Sequence, residues 1–338
     1  MNKWILSACV FFVWGVTSVR AQQPVLRFGS DKTFKIAQFT DMHLDPSKPR
    51  RLAEAEKTFA RLDRVLASER PDLVVFTGDV VTGPPAEPMW RRLLDTMTVR
   101  RVPFCVVLGN HDSEQDISRQ QIGRIVTSYP GSLNTLDAAG ELADRELEIL
   151  GSGSQRPALL LYCLDSHSES LLDGIDGYDW FRPEQVEWLR GRCAARRTAN
   201  GGRAVPSLAF FHIVLPEYLA AWRNPSNSHI GRAAEDECPG ELNTGMFAAM
   251  VETGSVMGTF VGHDHDIDYL VADKGICLGY GRFSGDNTTY NNLRPGVRLL
   301  LLTEGERGFE TWIREDDGRM VDHARFAEGK ITEIAVER

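Results

Sequence analysis

Apolar and polar positions along this chain follow two alternating rhythms. Phe34-Lys35-Ile36-Ala37-Gln38-Phe39-Thr40 reads as a short strand. Residues 52–66 then place Leu52, Ala55, Phe59, Leu62, Val65 and Leu66 at helical spacing, an amphipathic face. The run 72–77 (DLVVFT) predicts a buried strand, 88–99 a helix, 103–108 (PFCVVL) a second buried strand and 116–128 a helix. Two strands, 146–150 and 158–164, flank Gly151-Ser152-Gly153-Ser154 and predict a hairpin. Pro183 opens a helix that runs to about Arg196, with Val186, Leu189 and Cys193 on one face. A strand follows at 207–211, a helix at 244–253 and a strand at 256–261. Further strands are predicted at 268–272, 276–280, 297–303 and 309–314. The first half therefore predicts βαβ units and the last third a mostly antiparallel sheet. The segment 198–206 is a polar loop, and nothing linker-like interrupts 24–315. The polar tail 316–338 has room for one added edge strand, Lys330 to Val336.

The first 21 residues have a different pattern. Lys3 precedes an apolar stretch from Trp4 to Val16, and Val19-Arg20-Ala21 places small residues at the two positions a signal peptidase reads. This predicts a secretory signal peptide over 1–21 and one folded domain over 22–315. The product is expected in the periplasm or secreted, with no integral membrane segment after cleavage, since no other stretch approaches ~20 apolar residues. Losing Lys3 and Arg20 takes the formal charge from −9 to −11. Such acidity argues against a nucleic-acid backbone as partner, which needs a clustered basic surface. Losing Cys9 turns six cysteines into an odd five, which weakens any disulfide framework. Cys105 and Cys163 lie in apolar runs and read as buried small hydrophobes, while a Cys193–Cys238 bridge stays open.

The chemistry-bearing residues fall just after predicted strands. Asp41-Met42-His43 follows the first, Gly78-Asp79 the second and Gly109-Asn110-His111-Asp112 the third. His212 ends the 207–211 strand, and Gly262-His263-Asp264-His265 ends the 256–261 strand. Loops at the carboxyl ends of parallel strands share one edge of a sheet, so these residues converge. Asp41, His43, Asp79, Asn110, His212, His263 and His265 offer oxygen and imidazole donors suited to first-row metals. One carboxylate can bridge two such ions. Taken singly, each motif has an ordinary structural reading as a turn, a cap or a packed histidine; in this order, and each strand-terminal, they point to a metal pair. The glycines at 78, 109 and 262 suit close backbone approach.

These motifs, over about 34–303, resemble the calcineurin-like metallophosphoesterase superfamily. The stretches 176–180 (DGYDW), 211–217 (FHIVLPE) and 243–247 (NTGMF) are similar to its purple-acid-phosphatase-like group of plant, fungal and bacterial exported phosphatases. The resemblance implies an α/β fold: a four-layer αββα sandwich of two mixed β-sheets flanked by helices. It implies that Asp41, His43 and His265 hold one metal, that Asn110, His212 and His263 hold the other, and that Asp79 bridges. The ions would be divalent or mixed-valence, with Mn, Fe, Zn and Ni all open. Metal-bound hydroxide would attack the phosphorus of a phosphate monoester, of a small molecule or a phosphoprotein. Alternatives are a phosphodiesterase on nucleotide or lipid-headgroup diesters, and a non-catalytic metal-binding scaffold. His111 would face the substrate as electrostatic stabiliser or general acid; Asp112 would orient it or cap the next helix. Purple acid phosphatases place a tyrosine ligand three residues after the bridging Asp. Thr82 stands there, so no tyrosinate colour is expected. Tyr178, Trp180, His229, Glu235, Asn243, Tyr280 and Arg282 lie in candidate rim loops, with Arg282 the best phosphate-binding candidate because a fork of donors suits a phosphoryl group.

Overall fold

Strands that are apolar at nearly every position need cover on both faces, and here they receive it. The computed structural model describes residues 23–287 and 292–335. The predicted signal peptide lies outside the described residues. In chain order the elements are β1 (Leu26–Arg27), β2 (Thr33–Phe39), α1 (Pro49–Glu69), β3 (Leu73–Thr77), α2 (Ala86–Arg100), β4 (Phe104–Val107) and α3 (Arg119–Thr127). Next come β5 (Arg145–Leu150), β6 (Pro157–Cys163), α4 (Pro183–Ala199), β7 (Ser207–Phe210), α5 (Glu217–Trp222), β8 (His229–Ile230), α6 (Met246–Thr253) and β9 (Val256–Val261). The chain closes with β10 (Leu270–Asp273), β11 (Ile276–Tyr280), β12 (Gly296–Thr303), β13 (Gly308–Glu315), β14 (Met320–Ala327) and β15 (Lys330–Glu333).

The strands form two sheets, ordered β1-β5-β6-β7-β9-β11-β10-β8 and β15-β14-β13-β12-β2-β3-β4. Both are mixed. In one, β2, β3 and β4 run parallel; in the other, β6, β7, β9 and β11 do. Alternate side chains of β3 and β4 divide between two cores. Leu73, Val75, Cys105 and Val107 meet Leu161, Cys163, Leu208 and Phe210 between the sheets. Val74, Phe76, Phe104 and Val106 instead pack on α1, α2 and α3 through Phe59, Leu62, Trp90 and Ile122. A third core packs the other sheet on α4 and α6 through Leu160, Ala209, Leu189 and Met250. Helix, sheet, sheet and helix thus form the four layers the resemblance implies.

Three readings change. The last third does not build one sheet: β10 and β11 join the first sheet while β12 to β15 extend the second. The antiparallel pattern was legible, but pairing partners are long-range and leave no local trace. The tail adds two strands, β14 and β15, because residues 308–315 need an antiparallel partner beyond 316. The helix predicted from 116 starts at Arg119, where Ser118 accepts from the Gln121 amide and the Gln121 side chain returns to the Ser118 amide. All five cysteines among the described residues are free; Cys193 is buried and Cys238 exposed. No helix among the described residues is long and apolar enough to cross a membrane.

Candidate metal centre

The parallel strands of both sheets end at one edge, and the seven predicted donors meet there. Asp41 and His43 follow β2, Asp79 follows β3, Asn110 follows β4, His212 follows β7, and His263 and His265 follow β9. The chain accepts backbone strain to achieve this. Asp41, His43, Asp79 and His263 all have positive φ, between 42° and 79°, where an L side chain is disfavoured. Gly109 is required by space: a Cβ there would collide with the Asp79 carboxylate and lie 2.8 Å from His212 Nε2.

The ligand atoms of Asp41, His43, Asp79 and His265 lie within 4.8 Å of one another. His43 Nε2 is 3.0 Å from His265 Nε2, and His265 Nε2 is 3.6 Å from Asp41 Oδ1. A second group adjoins the first. Asn110 Oδ1 lies 3.1 Å from His212 Nε2 and 3.0 Å from His263 Nδ1. Asp79 joins them, with Oδ2 at 3.8 Å from His43 Nε2 and 3.5 Å from His212 Nε2. Outer partners fix the rings. His212 Nδ1 lies 2.8 Å from the Thr77 carbonyl oxygen, which holds the proton on Nδ1 and turns Nε2 inward. His43 Nδ1 faces Thr82 Oγ1 at 3.3 Å. Asp41 Oδ2 accepts from Thr40 Oγ1 at 2.7 Å, and the ring of Tyr178 stands edge-on to His263 at 4.3 Å.

The charges form opposed pairs. Burial pushes His43 down to about 4 against the pull of Asp79. Burial and then the neighbouring His212 push His263 down to about 3. Burial also works against charge on His212, but the Asp79 carboxylate outweighs it and raises His212 to about 10. Asp79, which burial alone would raise, is held far below the carboxylate range, chiefly by His212. Asp41 is likewise lowered, burial notwithstanding, by His265. Among the described residues no Lys or Arg pairs with either carboxylate, although both are 1% exposed. Buried carboxylates are normally paired or on metal. Oxygen and imidazole donors, with two buried acids whose charged partners are histidines rather than Lys or Arg, fit a first-row metal pair.

Other predicted residues are employed elsewhere. Asp112 does not reach His111 and does not cap α3. It is fully buried, Oδ1 accepting from the Val80 and Val81 amides (2.8 and 3.1 Å) and Oδ2 from Gly109 (2.8 Å), so it ties two site loops together. Burial and the nearby Asp79 push it up to about 6. His111 instead places Nδ1 at 2.7 Å from Glu114 Oε2, a residue the sequence reading passed over. A histidine followed three residues on by an acid, in a turn, was the available signal. Arg282 is not free to bind phosphate: 1% exposed, it pairs with Asp268 and Glu315 and donates to the Arg294 carbonyl at 2.6 Å. Tyr280, fully buried, donates to Asp264 Oδ2 at 2.7 Å. Asn243 is exposed, donates to Glu217 at 2.8 Å and accepts from Gly245; with Trp180 it lines a neighbouring cleft. His229 packs on Trp222, and Glu235 accepts from the Asp266 amide. Of the candidate rim residues, Tyr178 stands against the His263 ring, and Glu235 lies close enough to His265 to interact with it electrostatically.

Two stacked mixed sheets with an N/O donor cluster at their shared strand ends define a metal-dependent phosphoesterase architecture. The calcineurin-like phosphoesterase family model matches residues 34–266, and the chain belongs to that family. It is 32% identical to "Probable inactive purple acid phosphatase 29" of Arabidopsis thaliana, over 88% of this chain and 86% of the relative. It is 29% identical to "Phosphatase DCR2" of Saccharomyces cerevisiae, over 83% of this chain but 53% of that longer relative. A dimetal phosphatase from Danio rerio shares the fold, with a TM-score of 0.58 over 87% of this chain and 98% of that one, at 14% identity.

Proposed function

We propose that this protein is a dinuclear-metal phosphoesterase that hydrolyses phosphate monoesters. The observation that carries the reading is Asp79 Oδ2, which faces His43 Nε2 on one side and His212 Nε2 on the other. Asp41, His43 and His265 would hold one ion, Asn110, His212 and His263 the second, with Asp79 between. Ions bound there supply Lewis-acid stabilisation of phosphoryl oxygens and lower the pKa of water towards neutrality. The chain's own residues do the rest. The Thr77 carbonyl keeps the His212 ring oriented, and Asp41 and Asp79 stay ionised. His111, whose ring centroid lies 6.1 Å from that of His43, stands at the open side as proton donor to the leaving oxygen.

Manganese, iron, zinc and nickel all suit this donor set. Thr82 offers no phenolate, so a tyrosinate absorption band is not expected. The apolar leader would export the protein, which makes a small phosphate ester or a phosphoprotein outside the cytoplasm the substrate. The test is hydrolysis of p-nitrophenyl phosphate beside bis-p-nitrophenyl phosphate, with the protein loaded separately with each of the four metals. Faster turnover of the monoester is expected. Preference for the diester would replace monoesterase by diesterase. Absence of metal-dependent hydrolysis of either would place the chain with a relative named inactive.

A further inference from the structure

The loop after β4 carries three acids, and two are committed to backbone amides. Asp112 holds Gly109, Val80 and Val81, and Asp116 Oδ1 accepts from Ala86 at 2.9 Å. The third, Glu114, has Oε2 at 2.7 Å from His111 Nδ1. The His111 backbone is already fixed, because its amide donates to Asp79 Oδ1 at 2.9 Å. Its ring is not held by packing: the side chain is 42% exposed. Two torsions therefore remain free, and the Glu114 hydrogen bond restrains them. An imidazole bonded to a carboxylate through Nδ1 directs Nε2 the opposite way.

We propose that Glu114 is the positioning residue for His111: it accepts the Nδ1–H, so that Nε2–H faces the leaving oxygen of the phosphoester. This rests on the phosphoesterase reading. In the step, a water oxygen forms the new bond to phosphorus and gives up one of its protons to solvent. The ester P–O bond breaks, and its electron pair passes to the leaving oxygen. That oxygen takes the proton from Nε2, which keeps the N–H electron pair. His111 is left as a neutral imidazole with its remaining proton on Nδ1, the tautomer Glu114 favours, and solvent restores the proton. The logic is that of any base oriented by a buried or tethered carboxylate. Asp112, nearer in sequence, has both oxygens engaged and cannot take this role.

Two readouts test it. In the metal-free protein at alkaline pH, long-range proton–nitrogen NMR reports the His111 tautomer, with His111→Gln assigning the signal. Wild type and Glu114→Gln, whose amide oxygen still accepts, should show Nδ1–H. Glu114→Ala should revert to Nε2–H, the form free imidazole prefers. Nε2–H in the wild type, or Nδ1–H retained in Glu114→Ala, overturns the proposal. In the metal-loaded protein, Glu114→Ala should lower kcat for an alkyl phosphate about 10- to 100-fold with KM little changed. It should lower p-nitrophenyl phosphate turnover much less, because nitrophenolate leaves without a proton, and Glu114→Gln should recover part of the loss. Equal losses on both substrates overturn the proposal. If loaded protein hydrolyses nothing, the phosphoesterase reading fails while the NMR measurement still decides the tether.

Discussion

The two halves of the donor cluster share Asp79 but are stabilised differently. Asp41, His43 and His265 form a charged half at the open side, where the His43 and His265 side chains remain 10% and 12% exposed. Asn110, His212 and His263 form a half with no carboxylate of its own. There His212 is fully buried and its ring is locked by the Thr77 carbonyl. Backbone strain falls on both halves, at Asp41 and His43 in the first and at His263 in the second. The second is held by packing and by one outer hydrogen bond. The halves therefore differ in how readily they exchange an ion and in what their loss does to the fold.

The largest effect should come from the residue that belongs to both halves. Asp79→Asn keeps the shape but removes the shared charge, and activity should fall about 10³-fold, with fewer than two ions per chain by elemental analysis. Retention of both ions would deny Asp79 its bridging place. Next, His265→Ala and His212→Ala should each lower the metal count to one, but with different costs to the fold. His212→Ala removes a fully buried ring and one of the two hydrogen bonds to the Thr77 carbonyl, which keeps Thr40 Oγ1 as donor, and should lose about 1–3 kcal/mol in denaturant unfolding of the metal-free protein. His265→Ala should cost less, because its side chain is 12% exposed and water can reach the Asp41 carboxylate it leaves, whereas His212 is fully buried. Equal destabilisation would erase the contrast.

The pH response should separate the halves further. His212 is raised in the metal-free fold from 6.5 to about 10, so its stabilising contribution is complete below pH 6.5 and is lost as pH rises towards 10. Melting of metal-free protein should therefore weaken across that window, while metal affinity rises because the ion displaces the same proton. Calorimetry in two buffers of different ionisation enthalpy would show proton release on binding, and its absence at pH 7 would contradict the assignment. The smallest effect is expected from Thr82→Val, which removes a 3.3 Å outer contact from His43. Metal affinity of the open half should fall by about tenfold or less, with stability unchanged.

That the seven candidate donors meet was legible because each ends a buried strand and strand ends share an edge. The roles of Arg282, Tyr280 and Asn243 were not legible: their partners Asp268 with Glu315, Asp264 and Glu217 come from other parts of the chain. A free guanidinium and a buried ion pair look identical in sequence. Asp112 and Glu114 show a subtler failure. Both follow His111, and the nearer acid was weighed as its partner. In the turn, Asp112 faces inward to three amides and Glu114 folds back over the ring. In the fold, two-sided apolar strands were the easiest to find. β14, only partly buried along most of its length, carried too little contrast to be read.

Each proposed ion would also draw its ligands from both sheets. Asp41 and His43 come from the sheet containing β2, and their companion His265 from the sheet containing β9. Asn110 comes from the first of these, and His212 and His263 from the second. A loaded centre would then act as a pair of rivets through the seam between two layers that otherwise meet mainly through apolar side chains, with Gln38 and Arg298 donating across to the Val261 and Tyr280 carbonyls. Occupancy would add mechanical closure as well as chemistry, raising resistance to unfolding with metal concentration by mass action.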